Sequence, residues 1–343
     1  MNERLSGMAS LLHRTFVASV GLMRFEKINL KGKKRLEVVK ALVCQLRFDE
    51  SDWVYEDDLL RLNNEPRVED YIGHISYAIS NHNADLIVLP EVGVPNHLLS
   101  QLQNLSKTAG VIIVGGTQYF HDGGKTISRC PVIVNGSIYY TEKINPSPFE
   151  ISPIKNRGLS KGETIRIFKN SLIGDFAVII CADYFDKNIR TKLASYNLDF
   201  VIVIAFQNDS TKYHDRMNAD CEESRHGTYF LYSNILSPPM GDGRSGLFGI
   251  MDKIFSSHLK RHGWSDGDPE TKLIELSSEE RLNYFLVDVD VVNKKPSLIR
   301  NLYTKPNVSI ASRDEAAKEY EMIEDHRKKL KHLSENIRKR RES

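Results

Sequence analysis

Short apolar segments, several of which end at a polar or charged residue, are the feature of this sequence that most constrains its fold. Four of them are strongly apolar and are predicted to be strands: 38–46, 84–91, 172–183 and 199–206. They show little alternation of polar and apolar residues, so both faces of each strand are expected to be buried. Segments with helical spacing of apolar residues lie between or after them: 67–83, 97–110, 188–198 and 212–230. Alternating strands and helices predict an α/β fold.

Two further strands are predicted at 111–120 and 131–143, with no helical pattern between them. This pair departs from a strict strand–helix–strand order and therefore predicts a mixed sheet. A late alternating segment, 283–292, predicts one more strand.

The bulk composition excludes several classes of protein. The 343 residues are 41% hydrophobic and carry a formal net charge of only +2, so no global charge indicates nucleic-acid or membrane binding. Four cysteines without a CxxC pair do not make a disulfide scaffold. No run of 18 apolar residues is present, which predicts no membrane helix, and no signal peptide is predicted. A reducing cytoplasm is the expected location, where a cysteine remains a thiol.

The two ends of the chain differ from its centre. Residues 1–36 are predicted to be an N-terminal extension that ends in a basic cluster, and 37–310 are predicted to form one domain. Residues 311–343 begin with the capping box Ser312–Glu315 and predict a basic amphipathic helix. This helix is expected to be a solvated or oligomer-packing surface, with docking onto nucleic acid or another acidic partner as the alternative. The segment 51–65 has no clear assignment, and control of access to a site or binding of a partner are its candidate roles.

Three chemically reactive side chains lie at or just after the ends of predicted strands. Cys181, Glu91 and Lys143 follow apolar or aromatic segments, and Glu150 lies seven residues after Lys143. Each has an ordinary explanation when taken alone: a buried cysteine, a solvated carboxylate or helix cap, and a surface lysine. The ends of core strands in α/β sheets collect active-site residues, so one sheet edge can bring the three together.

This combination of residue types suits nucleophilic catalysis. A thiol must lose its proton before it attacks a carbonyl or nitrile carbon, and a neighbouring carboxylate such as Glu91 can take that proton. The tetrahedral intermediate develops negative charge, which an ammonium such as that of Lys143 and a backbone N–H can stabilise.

The three segments also resemble the nitrilase superfamily of carbon–nitrogen hydrolases. The resemblance lies in ADLIVLPE ending at Glu91, YTEKINPSPFE with Lys143 and Glu150, and IICADYF with Cys181. Three such blocks in this order are more specific than any one of them. The likeness extends over about residues 38–292 and implies a four-layer α-β-β-α sandwich.

The resemblance also implies roles for individual residues. Cys181 would be the nucleophile, Glu91 the general base, and Lys143 with the Ala182 amide the oxyanion stabiliser, while Glu150 would position Lys143. Gln207 and Asn208 stand where the family commonly has Asn-Trp, in a loop that lines its substrate pocket. The resemblance implies a small amide-type substrate, neither a metal nor an organic cofactor, and a homodimer or larger homo-oligomer.

Two alternatives to hydrolysis remain open at this point. The thioester could pass its acyl group to an amine instead of water, or the chain could be a nitrilase-like binding or signalling module that uses its basic tail. Other motifs carry less weight: GGKT at 123–126 lacks the full spacing of a phosphate loop, and the histidines show no metal-ligand spacing with the cysteines.

Overall fold

The computed structural model describes most of the central part of the chain. The described residues are 23–30, 34–63, 72–73, 75–76, 79–80, 83–92, 94–154, 157–224, 226–249, 272–276, 284–291 and 295–298. The predicted C-terminal helix at 311–343 lies outside these residues. Among the helices of the described residues, none has the length and apolar character needed to cross a membrane.

Most described strands belong to two large sheets. The first sheet contains, in spatial order, β1 (Arg24–Asn29), β10 (Thr164–Ser171), β11 (Gly174–Ile180), β12 (Phe200–Ala205), β13 (Tyr229–Asn234), β16 (Gly246–Phe248) and β17 (Lys272–Glu275). The second contains β19 (Lys295–Leu298), β18 (Tyr284–Asp290), β2 (Val38–Cys44), β5 (Leu86–Leu89), β6 (Ile112–Gly115), β8 (Lys125–Val134) and β7 (Gln118–Asp122), and β9 (Ser137–Glu142) also pairs with β8.

Two small hairpins and several helices complete the described elements. The hairpins are β3 (Trp53–Glu56) with β4 (Leu59–Leu62), and β14 (Leu236–Ser237) with β15 (Gly241–Asp242). The α-helices described over their full length are α1 (Leu99–Ala109), α2 (Lys187–Ala194) and α3 (Thr211–Glu223), and 3-10 turns cover Glu50–Asp52, Asn96–Leu98 and Cys181–Phe185. The described residues of the helix predicted at 67–83 are helical at 72–73, 75–76 and 79–80.

The strand residues divide between two cores because successive side chains of a strand point to opposite faces. In β2, Ala41 and Val43 belong to the core between the two sheets. Leu42 and Cys44, on the other face, belong to a second core that includes Leu102 of α1. Helix α3 packs against β13 and β16 of the first sheet. The predicted four-layer α-β-β-α sandwich is confirmed.

Strand direction explains why several loops meet at one end of the sandwich. β5 is parallel to β6, and β9 has the same direction because two antiparallel pairings, β6 with β8 and β8 with β9, separate them. In the other sheet, β11 and β12 are parallel to each other. The carboxyl ends of parallel neighbours lie at the same sheet edge, so the residues that follow these strands are gathered there.

Some predicted boundaries were wrong. The segment 131–143 contains a two-residue turn at Asn135 and Gly136, both with positive φ, that separates β8 from β9. This Asn-Gly turn is the usual signal of a tight hairpin and was available in the sequence. The helix predicted at 212–230 ends at Glu223, because Tyr229 and Phe230 pair with β12 as part of β13. The division of the chain into domains stays a prediction, although 24–29 of the predicted extension form the edge strand β1.

Candidate active site

Lys143 lies between two carboxylates at the end of β9. Its Nζ is 2.8 Å from Glu91 Oε1 and 2.7 Å from Glu150 Oε1. The lysine is 1% exposed, and its backbone N–H donates to the Ser128 carbonyl, which continues the pairing of β9 with β8. Ordinary strand pairing therefore carries an ammonium group into the interior, where it contacts two acids.

Glu91 reaches the same cluster from the end of β5. It follows β5 and Pro90, is 2% exposed, and its Oε2 accepts a hydrogen bond from the Phe206 N–H at 3.1 Å. The next residue, Val92, has φ 57°, an uncommon value for a β-branched residue, and its N–H donates to Thr117 Oγ1 at 2.8 Å. This tight turn holds the Glu91 carboxylate against both the Lys143 ammonium and the loop after β12.

Cys181 occupies the turn directly after β11. Its φ is 48°, a left-handed conformation that costs roughly 1–2 kcal/mol for a residue with a side chain. Its Sγ lies 3.3 Å from the Tyr213 hydroxyl oxygen and 3.9 Å from Gln207 Nε2. Sparsely populated backbone conformations of this kind persist where the surroundings impose them and cluster at functional sites.

Asp183 connects the cysteine turn to the lysine segment. Its carboxylate is 1% exposed and accepts the backbone N–H of Ile144 at 2.8 Å and that of Asn145 at 2.6 Å. One side chain, two residues after Cys181, thus fixes the backbone immediately after Lys143. The relative position of the thiol and the ammonium depends on this carboxylate.

The electrostatics of the cluster set its protonation states. Burial raises the pKa of the Cys181 thiol to about 12, and the neighbouring charge of Glu91 adds to that shift. Burial also raises the pKa of Glu91, although Lys143 opposes this. Burial by itself would lower the pKa of Lys143, but the negative charges of Glu91 and Glu150, with that of Cys181 when its sulfur is ionised, outweigh it and raise that pKa well above its ordinary value. Burial and the surrounding charges therefore favour a thiol at Cys181 and an ammonium at Lys143, and they increase the tendency of Glu91 to take up a proton.

Solved structures similar to this chain include proteins from three organisms. An amidase of the nitrilase superfamily from Nesterenkonia, solved as a cysteine-to-alanine mutant, matches with a TM-score of 0.52 and 15% identity, over 75% of this chain and 92% of that chain. A Saccharomyces cerevisiae member of branch 10 of the superfamily matches with a TM-score of 0.53 and 17% identity, over 76% and 94% of the respective chains. A glutamine-dependent NAD+ synthetase from Acinetobacter baumannii has a TM-score of 0.52 and 16% identity, over 78% of this chain and 49% of that chain.

The chain has the nitrilase-superfamily fold. Neither a family model nor a curated protein matches its sequence. At 15–17% identity among these structures, three-dimensional similarity is the basis of this assignment, and it agrees with the fold expected from the sequence.

The nitrilase fold brings four of the predicted site residues together: Glu91, Lys143, Glu150 and Cys181. Gln207 also reaches this cluster, through its side-chain amide near the Cys181 sulfur. Ala182 follows the cysteine in the 3-10 turn and is partly buried. Asn208 is exposed, which places it at the surface beside the cluster. The Glu150 side chain is 20% exposed, so the cluster borders solvent on that side.

Two features of this nitrilase fold were missed in the sequence. Tyr213 is buried beside the cysteine although it lies 32 residues away along the chain. The insertion at 51–65 forms the β3–β4 hairpin, in which Trp53 stacks on Phe206 with ring centroids 4.9 Å apart. Asp58 of the same hairpin accepts a hydrogen bond from Ser152, in the loop after Glu150. The acidic pair Asp57–Asp58 between WVYE and LLRL could have predicted the turn of this hairpin, but nothing in the sequence predicted what it contacts.

Replacing Asp183 with asparagine is expected to weaken both stability and activity. An asparagine side chain has one acceptor oxygen for the two backbone N–H groups of Ile144 and Asn145, so one buried donor loses its partner. That loss costs about 1–3 kcal/mol, which thermal and denaturant unfolding can measure. Unchanged stability would show that the carboxylate does not hold the Lys143 segment.

Proposed function

We propose that this chain hydrolyses the carbon–nitrogen bond of a small non-peptide amide through a thioester on Cys181. The observation that carries the proposal is the Lys143 ammonium, held 2.8 Å and 2.7 Å from two carboxylates beside a thiol on a strained turn. The similarity to amidases of the nitrilase superfamily supports it.

A contribution to folding stability does not explain why these charged side chains are buried together. The side chains of Lys143 and Glu91 are 2% and 3% exposed, and removing each charge from water costs several kcal/mol. Apolar side chains of similar volume at buried ion pairs are often neutral or stabilising by about 1–4 kcal/mol. Because strongly shifted pKa values beside a thiol are typical of active sites, catalysis explains the cluster better than folding does.

The first step is attack by the sulfur. Glu91 takes the thiol proton as the Cys181 sulfur bonds to the amide carbonyl carbon, so a thiol with a high pKa reacts without first accumulating as a thiolate. The raised pKa of Glu91 makes it a stronger base for this transfer.

Lys143 and the Ala182 N–H are proposed to stabilise the oxyanion of the tetrahedral intermediate. Glu150 keeps the ammonium in place through its 2.7 Å contact. Because the Lys143 pKa is raised, the ammonium keeps its proton while negative charge develops on the substrate oxygen.

The intermediate then collapses to the thioester. Glu91 gives its proton to the leaving nitrogen, which departs as ammonia or an amine. Glu91 next takes a proton from water as the water attacks the thioester, and that proton returns to the sulfur when the carboxylic acid leaves. An amine in place of water would make the same site an acyltransferase.

A substrate panel tests this proposal and separates the two outcomes. Purified full-length protein is incubated with primary amides, nitriles and carbamoyl compounds, and ammonia is measured with and without hydroxylamine as an acyl acceptor. We expect ammonia and a carboxylic acid from an amide, with hydroxamate appearing when hydroxylamine competes with water. Product that forms only in the presence of an amine acceptor would favour acyl transfer, and turnover without Cys181 would contradict both.

The proposed nucleophile can also be tested without a substrate. The Nesterenkonia amidase, as a glutamate-to-glutamine mutant, takes up the acetamide moiety of fluoroacetamide at its active-site cysteine. We propose that fluoroacetamide reacts in the same way at Cys181 of Glu91→Gln, because the reagent is a small amide whose CH2 carbon a thiol can attack as fluoride leaves and the thiol proton passes to water.

A further inference from the structure

The Tyr213 hydroxyl lies at the sulfur of the proposed nucleophile, 3.3 Å from Cys181 Sγ. Tyr213 is 1% exposed and belongs to the first turn of α3, which begins at Thr211. Neither the sequence motifs nor the mechanism above uses this residue. A buried hydroxyl in contact with a reacting atom calls for a chemical explanation.

Aromatic packing fixes the position of that hydroxyl. The Tyr213 ring stacks on Tyr232 with centroids 5.2 Å apart, and meets Phe185 edge-on at 4.6 Å. Phe185 closes the 3-10 turn that begins at Cys181. The cysteine turn and the tyrosine ring therefore hold each other in place, and the hydroxyl is oriented before any substrate arrives.

We propose that Tyr213 is a further catalytic residue, whose hydroxyl donates a hydrogen bond to Cys181 Sγ whenever that sulfur carries negative charge. The inference deepens the proposed function and rests on it. The sulfur carries such charge twice, as it attacks the amide and as it leaves the thioester. The side-chain amide of Gln207, at 3.9 Å, is a second and weaker donor to the same atom.

The direction of the hydrogen bond follows from counting protons. In the resting thiol either atom can donate across the 3.3 Å contact, but transfer of the thiol proton to Glu91 leaves the sulfur with no proton. The sulfur can then only accept from Tyr213. During attack the thiol proton moves to Glu91 and the sulfur–carbon bond forms, while Tyr213 keeps its own proton. When the thioester breaks, the sulfur–carbon bond electrons return to a sulfur already facing the hydroxyl.

The charges around Cys181 explain why a hydrogen bond from Tyr213 would help to stabilise a negatively charged sulfur. The ionised groups that act on Cys181 are Glu91, Lys143 and Glu150, and two of the three are negative. Burial and the two carboxylates disfavour a thiolate, whereas Lys143 and the Tyr213 hydrogen bond favour it. Burial also raises the pKa of Tyr213 itself, so the hydroxyl remains a donor throughout the working range of pH.

Alkylation of Cys181 by iodoacetamide tests the inference without a substrate. The rate at Cys181 is measured by peptide mass spectrometry on the full chain from about pH 5 to about pH 9. The protonation states of Cys181 and Glu91 are linked. The alkylation rate should therefore rise with pH while Glu91 loses its proton, which is the acid limb of the profile, and then reach a plateau that is independent of pH. The plateau reports the share of molecules in which the proton has moved from sulfur to Glu91.

Tyr213→Phe keeps the ring and removes only the donor. We expect the plateau rate to fall tenfold to a hundredfold, since a hydrogen bond to an ionised group typically contributes a factor of about that size. The acid limb should stay where it is, because Glu91 and its contacts are unchanged. A packing role alone would leave the plateau rate within about twofold of wild type, and that result would overturn the inference.

Two further variants complete the experiment, one as a control for loss of a buried hydroxyl and one as an alternative to Tyr213→Phe. Tyr184→Phe is the matched control, because Tyr184 is equally buried in the same aromatic cluster but donates its hydroxyl to Asp220 at 2.7 Å. We expect its alkylation rate to match wild type. If Tyr213→Phe does not fold, 3-fluorotyrosine in place of Tyr213 keeps the ring and offers a more acidic donor. The plateau rate should then rise, and an unchanged or lower rate would overturn the inference.

This experiment also separates the inference from the proposed function. Wild-type protein that is alkylated at Cys181 but releases no ammonia from any amide would contradict only the hydrolysis. Wild-type protein that hydrolyses an amide, with Tyr213→Phe equally reactive in alkylation and turnover, would contradict only the role of Tyr213.

Discussion

Cys181→Ala is expected to reduce amide hydrolysis by at least roughly four orders of magnitude, because loss of a covalent nucleophile leaves only binding and electrostatic stabilisation. The variant should still fold, since alanine fits the same turn and removes a single buried sulfur. We expect its unfolding free energy to lie within about 1 kcal/mol of wild type. Steady-state ammonia release and thermal unfolding measure the two quantities.

Cys221→Ala is the matched control for this experiment. Cys221 is as buried as Cys181, but it lies in α3, and burial followed by the charges of Asp220 and Glu222 raises its pKa. We expect this variant to retain wild-type turnover. If both cysteine variants lost activity together, the loss would reflect damage to the fold, and if neither did, Cys181 would not be the nucleophile.

Lys143→Met should have the largest combined effect on activity and stability. Methionine approximates the shape of the lysine stem without its charge, so the oxyanion loses a stabilising group that is typically worth about 10²–10³ in turnover. The carboxylates of Glu91 and Glu150 would face each other without a cation. Removing one partner of a buried ion pair costs about 3–5 kcal/mol.

The stability loss of Lys143→Met should depend on pH. Burial already raises the pKa of Glu91, and loss of the opposing Lys143 ammonium raises it further, so the folded variant binds more protons than the unfolded chain. Stability then falls as pH rises through this range and recovers as pH is lowered toward the unfolded carboxyl values. Denaturant unfolding at several pH values measures the slope, and a loss independent of pH would contradict an electrostatic origin.

Two controls separate charge from packing in this experiment. Lys187→Met changes an exposed lysine at the start of α2 and should alter stability by less than about 0.5 kcal/mol. Combining Lys143→Met with Glu91→Gln removes one of the two carboxylate charges that are left without a cation. The double variant should regain part of the stability but none of the activity. A double variant as unstable as the sum of the two single variants would show no coupling between these side chains.

The sequence predicted the part of the site that depends on local pattern. Glu91 follows the fully buried β5, Cys181 follows β11, in which all residues but Asp175 are buried, and Lys143 follows the partly buried β9. Apolar segments that end at a reactive residue can be recognised in the amino-acid sequence alone. The direction of the strands then brings their ends to one edge, which is a general property of such sheets.

The rest of the site depends on contacts between distant segments. Tyr213 has the ordinary appearance of an apolar residue on a helix, and only the packing of α3 beside the Cys181 turn gives it a chemical partner. Tyr229 was assigned to that helix because its local spacing fits, whereas parallel pairing with Phe200 makes it part of a strand. Tertiary pairing overrides local propensity in such cases.

The most direct test of the central claim is to map where fluoroacetamide modifies the protein. All four cysteines, Cys44, Cys130, Cys181 and Cys221, are free and buried, so exposure alone predicts no preference among them. We predict a single acetamide adduct, on Cys181, in Glu91→Gln, where loss of the proposed base prevents hydrolysis of the reagent, and no adduct at this position in Cys181→Ala. Modification of the four cysteines at similar rates, or none at Cys181, would contradict the assignment of Cys181 as an activated nucleophile.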